Sequence, residues 1–267
     1  MMRLTMLGTG HAVVTECYNT CFVLEDGGQH LLVDGGGGSG LLTQLKHAGF
    51  SWKDMRHIFV THKHLDHLLG ILWMMRMICQ AMAHGFYEDE AFIYSHAEVC
   101  GLLRDLACGL LRPQEAGVIG NRLHLVEVGD GQTLDLIGHE TTFFDIGSCK
   151  AWQFGFCMEL GDGRRLVCCG DEPLSEKGRP YARGADWMLH EAFCLHAEAD
   201  IFRPYEKHHS TVKDACEAAE ELGVRNLLLY HTEDKNITRR RELYTAEGSQ
   251  YFSGNLWVPE DLEAIVL

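Results

Sequence analysis

Between Thr61 and Gly70 the chain reads THKHLDHLLG, which crowds His62, His64, Asp66 and His67 into six positions just after an apolar strand predicted over Arg56 to Val60. Side chains two apart at a strand end point the same way. His62 and His64 can therefore hold one cation, while Asp66 and His67, entering the following helix, can face a second. Imidazole and carboxylate together suit Zn²⁺, and Mn²⁺ or Fe²⁺ would also fit. At this His and Asp content an H-x-H-x-D-H match arises by chance in about three sequences per thousand, so a metal centre outweighs a solvated polar loop. The remaining histidines, among them His208, His190, His139, His124, His96 and His11, have no paired spacing and read as packing or surface residues. Arg239, Arg240 and Arg241 are flanked by Glu233, Asp234 and Glu242 and read as a solvated helix face.

Elements must carry these residues to one place. Strands are predicted at Arg3 to Leu7, Thr20 to Leu24, His30 to Val33, Arg56 to Val60 and Phe92 to Tyr94, each rich in β-formers and bounded by turn residues. The second half repeats the arrangement at Leu123 to Val128, Thr141 to Ile146, Phe154 to Leu160, Arg165 to Cys169, Trp187 to His190 and Asn226 to Tyr230. Helical spacing appears at Leu41 to Ala48, Leu68 to Ala83, Ala97 to Leu111 and Thr211 to Leu222, the first and last of these stopping at Gly49 and Gly223. Gly35 to Gly38 follows a strand and is a structural turn rather than a phosphate loop. Trp73, Met74, Met75, Met77, Met82 and Phe86 lie in the helix-rich middle, where such residues more often build core than line a substrate pocket.

The chain has 267 residues, 46% hydrophobic and 23% charged, with only 5 Pro, which excludes a disordered protein. A net charge of -15 repels phosphate backbones and argues against broad nucleic-acid or anionic-membrane binding, so any polyanion needs a local exception. Eleven Cys is an odd number in a long chain that opens on a strand, which predicts a reduced cytoplasmic protein rather than a disulfide scaffold. The most apolar span, Leu68 to Met82, is broken by Arg76 and Gln80 and is too short to cross a bilayer, so no membrane partner is predicted. No linker or repeat divides the chain, and residues 1–267 are expected to form one α/β domain with two sheet-containing halves.

Leu7-Gly8-Thr9-Gly10, the Val33-Asp34-Gly35 turn and THKHLDH together resemble the metallo-β-lactamase superfamily, in its ribonuclease Z-like and small-phosphodiesterase branch, and the resemblance runs over nearly the whole chain. Gly170-Asp171 falls after a strand where that family places its metal-bridging Asp. His190-Glu191-Ala192 is similar to the branch's His-Glu-Ala-Thr motif, with Phe193 in place of Thr; His209-Ser210-Thr211 matches its His-Ser-Thr motif; and Tyr230-His231-Thr232 ends a strand where the last His ligand falls. The resemblance implies an αββα four-layer sandwich, two mixed β-sheets flanked by helices. It also implies two metals, with His62 and His64 on one, Asp66, His67 and His231 on the other, and Asp171 between them. The family's further His, expected near residues 147–149, is missing. One alignment puts Cys149 there and another puts Gly147, so the His62/His64 site is expected to be the weaker.

Such a centre makes a hydrolase. Asp66 would orient the water and accept its proton; by resemblance His209 would serve the leaving group and Glu191 would orient His209. The first expectation is a phosphodiesterase acting on a small phosphodiester or cyclic phosphate. tRNA 3′-end processing is an alternative, disfavoured by charge and by the short stretch between Cys149 and Asp171, which cannot build the long arm of ribonuclease Z proper. Lactone, ester or thioester hydrolysis, and a low-activity metal-binding relative, are the others. The expected partner is a small-molecule substrate; relatives are often homodimers, although the sequence shows no self-evident interface.

Overall fold

Alternation along the strands decides the architecture, because both faces of nearly every central strand are apolar. The computed structural model describes residues 1–267. The first seven-stranded sheet contains β1 (Arg3–Gly8), β2 (Cys21–Asp26), β3 (Gln29–Val33), β4 (His57–Phe59), β5 (Ala91–Ser95) and β6 (Leu123–Glu127). The second contains β7 (Thr133–Leu136), β8 (His139–Asp145), β9 (Phe154–Gly161), β10 (Arg164–Cys168), β11 (Trp187–Glu191), β12 (Asn226–Tyr230) and β13 (Asn255–Trp257). The last strand, β14 (Ala264–Val266), returns to pair with β1. Each sheet runs from an antiparallel side to a parallel one: β3 to β6 pair in parallel in the first, and β10 to β13 in the second.

Leu24, Leu31, Val33 and Phe59 of the first sheet meet Phe143, Phe156, Leu166 and Leu189 of the second in one inter-sheet core. Phe59 makes the seam, 5.1 Å from Phe143 and 5.6 Å from Phe156 between ring centres. The intervening residues face outward onto helices. Val23, Leu32 and Ile58 pack with α1 (Gly40–His47), α2 (Leu65–Ala83) and α3 (Ala97–Leu110), and a short α4 (Pro113–Ala116) closes that layer. Val167, Met188, Leu227 and Leu229 pack beneath the short α5 (Arg179–Ala182), α7 (Val212–Leu222) and α8 (Arg240–Gly248), while α6 (Ala199–Phe202) buries no residue of its own. The result is the four-layer αββα sandwich expected.

α7 forms where its sequence says it should. Thr211 and Asp214 make a reciprocal capping box, Val212, Ala215, Cys216, Ala219 and Leu222 are buried on one face, and Gly223 ends the helix with φ +68°. α2 begins at Leu65 rather than Leu68, so Asp66 and His67 ride on its first turn. Its Met74, Met75 and Met82 are core, whereas Trp73 and Phe86 are exposed. The glycine run is a structural turn, as expected, with the Tyr18 hydroxyl donating to the carbonyls of Gly35 and Gly38 at 3.0 Å each. The arginine run needs correcting. Arg239 and Arg241 reach solvent, but Arg240 is buried and donates to Thr232, Thr9 and the Pro259 carbonyl. No helix is long and apolar enough to cross a membrane.

Candidate metal centre

Loops at the carboxyl ends of parallel strands are the natural place for a site in such sheets, since the backbone there is free to turn and several strands deliver residues together. β4 ends at Phe59, and the chain is then caught by Asp34, which follows β3 in a left-handed conformation with φ 58°. Asp34 Oδ1 accepts from the Thr61 amide at 2.8 Å, and its Oδ2 accepts from Thr61 Oγ1 at 2.8 Å and lies 2.7 Å from His67 Nδ1. The turn after Asp34 lies directly on α2: the Gly35 amide donates to the His67 carbonyl at 2.8 Å and the Gly70 amide to the Gly36 carbonyl at 3.0 Å. A Cβ on Gly70 would stand 1.8 Å from the Gly35 carbonyl oxygen, so only glycine permits this approach.

The second sheet supplies the opposite wall. Asp171 follows β10 through Gly170, whose carbonyl accepts from the Tyr230 hydroxyl at 2.6 Å. Glu191 ends β11, and His231 follows β12 in a left-handed conformation with φ 57°. Such a backbone is uncommon outside glycine and is held only where its surroundings fix it. His209 sits ahead of α7, beside Ser210, whose amide donates to Glu191 Oε1.

These residues meet. His62, His64 and Asp171 bring one donor atom each within 4.8 Å of the others, and so do Asp66, His67 and His231. Asp171 Oδ2 lies between the two groups, 3.5 Å from His62 Nε2, 3.6 Å from His67 Nε2 and 3.6 Å from His231 Nε2. Asp66 Oδ2 is 3.4 Å from His67 Nε2 and 3.5 Å from His231 Nε2. A third group joins Glu191 and His209 to His231, with His209 Nδ1 3.6 Å from Glu191 Oε2. His67 Nε2, Asp171 Oδ1 and both ring nitrogens of His231 are buried without a hydrogen-bond partner. Buried polar atoms left unpaired are costly, and several converging on one point fit a divalent cation.

Electrostatics follow from burial and this crowding. Burial pushes the Asp66 carboxyl upward, but the field and hydrogen bonds of His67 and His231 outweigh it and hold it well below the usual carboxylate range. Asp171 behaves likewise under His62, His231, His67 and Lys150. Burial lowers His62 and His64, leaving neutral imidazoles with lone pairs for a metal. Burial also brings His209 down to about 4, with Lys150 adding to the effect, and pushes Glu191 up to about 7.

Every residue singled out in the sequence, His62, His64, Asp66, His67, Asp171, Glu191, His209 and His231, lies in this cluster. The 147–149 segment adds no ligand: Cys149 is exposed and belongs to none of the three groups. Sequence reasoning missed Asp34 as the partner of His67, Lys150 beside His209, and His11, whose ring packs 4.5 Å from Phe193 and 6.3 Å from His231. Only Asp34 had a signal, its place in the Val33-Asp34-Gly35 turn.

The layered fold and the His/Asp loops at its strand ends define a metal-dependent hydrolase of the metallo-β-lactamase superfamily, in the ribonuclease Z-like branch. Ribonuclease Z of Natronomonas pharaonis is 26% identical over 314 residues, covering 99% of this chain and 97% of its own. Two solved structures share the fold: the metallo-β-lactamase fold protein YhfI of Bacillus subtilis, with a TM-score of 0.77 at 18% identity over 99% of this chain and 98% of that one, and a diphosphatase of the PhnP family, at 0.75 and 15% over 100% and 98%. Within the branch, residues 2–243 match the family described as Anti-Pycsar protein Apyc1, and the chain belongs to that family.

Proposed function

We propose that this protein is a phosphodiesterase that hydrolyses a small phosphodiester or cyclic phosphate. The observation that carries the reading is the Glu191–His209–His231 group set directly against the Asp171-centred cluster, a leaving-group side beside a nucleophile side. His62, His64 and Asp171 would hold one divalent cation and Asp66, His67 and His231 the other, with Zn²⁺ favoured by the donor set. Such cations supply Lewis acidity toward a phosphoryl oxygen and a water ionised near neutral pH. Asp66, held as a carboxylate, takes the proton of the attacking water. As the P–O bond to water forms, the bond to the leaving oxygen breaks. The leaving oxygen would receive a proton from His209 Nε2 as Nδ1 closes from 3.6 Å onto Glu191, pushed up to about 7 by burial, and takes a proton from it in turn.

A small substrate is supported by the turn between β9 and β10, which is only Asp162 and Gly163, both at positive φ. No arm for a large RNA is built there. The relatives named ribonuclease Z keep tRNA 3′-end processing as the second reading. All eleven cysteines are free thiols, which supports a cytoplasmic setting, and a homodimer is the assembly proposed. The test is turnover by zinc-loaded protein of bis-p-nitrophenyl phosphate, cyclic phosphodiesters, a lactone panel and precursor tRNA. Diesters should be cleaved, and His209→Ala should lower kcat about a hundredfold with zinc content unchanged. Turnover of lactones or precursor tRNA without diesters would refute the reading.

A further inference from the structure

The 147–152 loop brings a cation, rather than a metal ligand, to the edge of the centre. Lys150 Nζ lies 3.4 Å from His209 Nε2, 3.2 Å from the Lys207 carbonyl oxygen and 3.6 Å from Glu172 Oε1. The loop does not need this ammonium to hold its shape. Ser148 Oγ donates to Glu172 Oε1 at 2.6 Å and accepts from the amides of Lys150 and Ala151 at 3.1 and 3.2 Å. The Gly147 amide donates to Asp145 Oδ1 at 2.8 Å, and Trp152 packs on His96 with ring centres 4.4 Å apart. The ammonium stands nearer to His209 than to Glu172, whose Oε1 it shares with the Ser148 hydroxyl.

A second cation borders the same rim. Lys207 Nζ sits 4.8 Å above the Phe193 ring, and that ring is stacked on His209 at 4.9 Å. In a chain of net charge -15 an anionic substrate is repelled by the molecule at large, so a local positive rim is what its entry requires. We propose that Lys150 is the phosphate-binding cation of this site, holding a phosphoryl oxygen of the substrate beside His209. This rests on the phosphodiesterase reading and extends it to a residue outside the His/Asp cluster. Where the resemblance expects a metal ligand near 147–149, this chain binds the substrate's anion instead. Lys150 Nζ stands 3.4 Å from His209 Nε2, and its side chain, 23% exposed, can swing from Glu172 to an oxygen approaching that ring without moving the loop.

The experiment uses inorganic phosphate as probe, titrated calorimetrically into zinc-loaded wild type, Lys150→Met and Lys150→Arg, with zinc per chain measured on each and steady-state kinetics on bis-p-nitrophenyl phosphate. Lys150→Met should bind phosphate about tenfold more weakly or worse, the loss of one charge-assisted hydrogen bond, with zinc content unchanged and most of the affinity recovered in Lys150→Arg. The value of kcat/KM should fall in parallel. Phosphate binding equal to wild type in Lys150→Met, no phosphate binding by wild type, or loss of zinc from Lys150→Met would each overturn the assignment. If wild type cleaves no diester while its phosphate binding still depends on Lys150, the anion site stands and the phosphodiesterase reading falls. If Lys150→Met binds phosphate and cleaves diesters as wild type does, the reverse holds.

Discussion

Asp34 and Glu191 are both buried carboxyl groups, and their surroundings give them opposite work. Asp34 accepts from Thr61 and faces His67 Nδ1, which fixes that ring with Nε2 toward Asp66 and Asp171 and raises its basicity as a ligand. Glu191 has one oxygen on the Ser210 amide and the other unpaired, and burial lifts it from 4.5 to about 7. A carboxyl whose folded pKa is raised binds its proton more tightly in the folded state, so its contribution is fully present below about 4.5 and is lost as pH climbs through 7. The stability of metal-stripped wild type relative to Glu191→Gln should therefore fall by about 3 kcal/mol between those limits. Urea denaturation of the two proteins across that range checks it, and a constant difference would contradict it. The cluster residues were legible because they come as motifs, THKHLDH, Gly-Asp, His-Glu-Ala and His-Ser-Thr, whose spacing reflects local geometry. Lys150 and His11 were not, because each reaches the centre through contacts between segments far apart in sequence.

α2 is the element on which the centre depends, since its first turn carries Asp66 and His67 and its second meets the Asp34–Gly36 turn backbone to backbone. Gly70→Ala would drive a methyl into the Gly35 carbonyl oxygen, and neither partner can yield because Gly35 and Gly36 are hydrogen-bonded to the His67 carbonyl and the Gly70 amide of the helix. We expect a loss of about 3 kcal/mol and weaker zinc binding, read by urea denaturation and by competition with a chromogenic chelator. Gly101→Ala in α3 is the control. Its added methyl meets nothing within 4 Å, and helix propensity alone should stabilise it by about 0.5–1 kcal/mol. Long, strongly patterned elements such as α7, β9 and β12 were readable in the sequence at nearly their observed bounds. β7, β13 and β14 were not: each is a three- or four-residue strand, half-exposed and without enough alternation to mark it. α8 was legible only as a solvated helix face, because one of its buried residues is Arg240, whose charge is satisfied by hydroxyls and a carbonyl contributed from elsewhere.

Neither half of the molecule contains the centre. His62, His64, Asp66 and His67 come from the loop and helix after β4, whereas Asp171, Glu191, His209 and His231 come from the strand ends and loops of the second sheet. The halves are also stitched together at the chain's end, where β14 pairs with β1 and Arg240 bridges Thr9 to Thr232. Between them lies one apolar core shared by both sheets, so neither sheet can expose its inner face without stripping the other. We propose that residues 1–267 unfold as a single cooperative unit and that the metals report on the whole of it. A ligand bound only by the folded state stabilises by an amount set by its concentration relative to Kd, about 2.7 kcal/mol at a hundredfold excess. For a chain of this size that corresponds to a rise in Tm of about 5 °C or more. Thermal unfolding followed by tryptophan fluorescence and by far-ultraviolet circular dichroism should give one coincident midpoint, raised by zinc and lowered by a chelator. Two midpoints, with zinc moving only one, would mean that the sheets fold separately and that the ligands of one half hold the metal without the other.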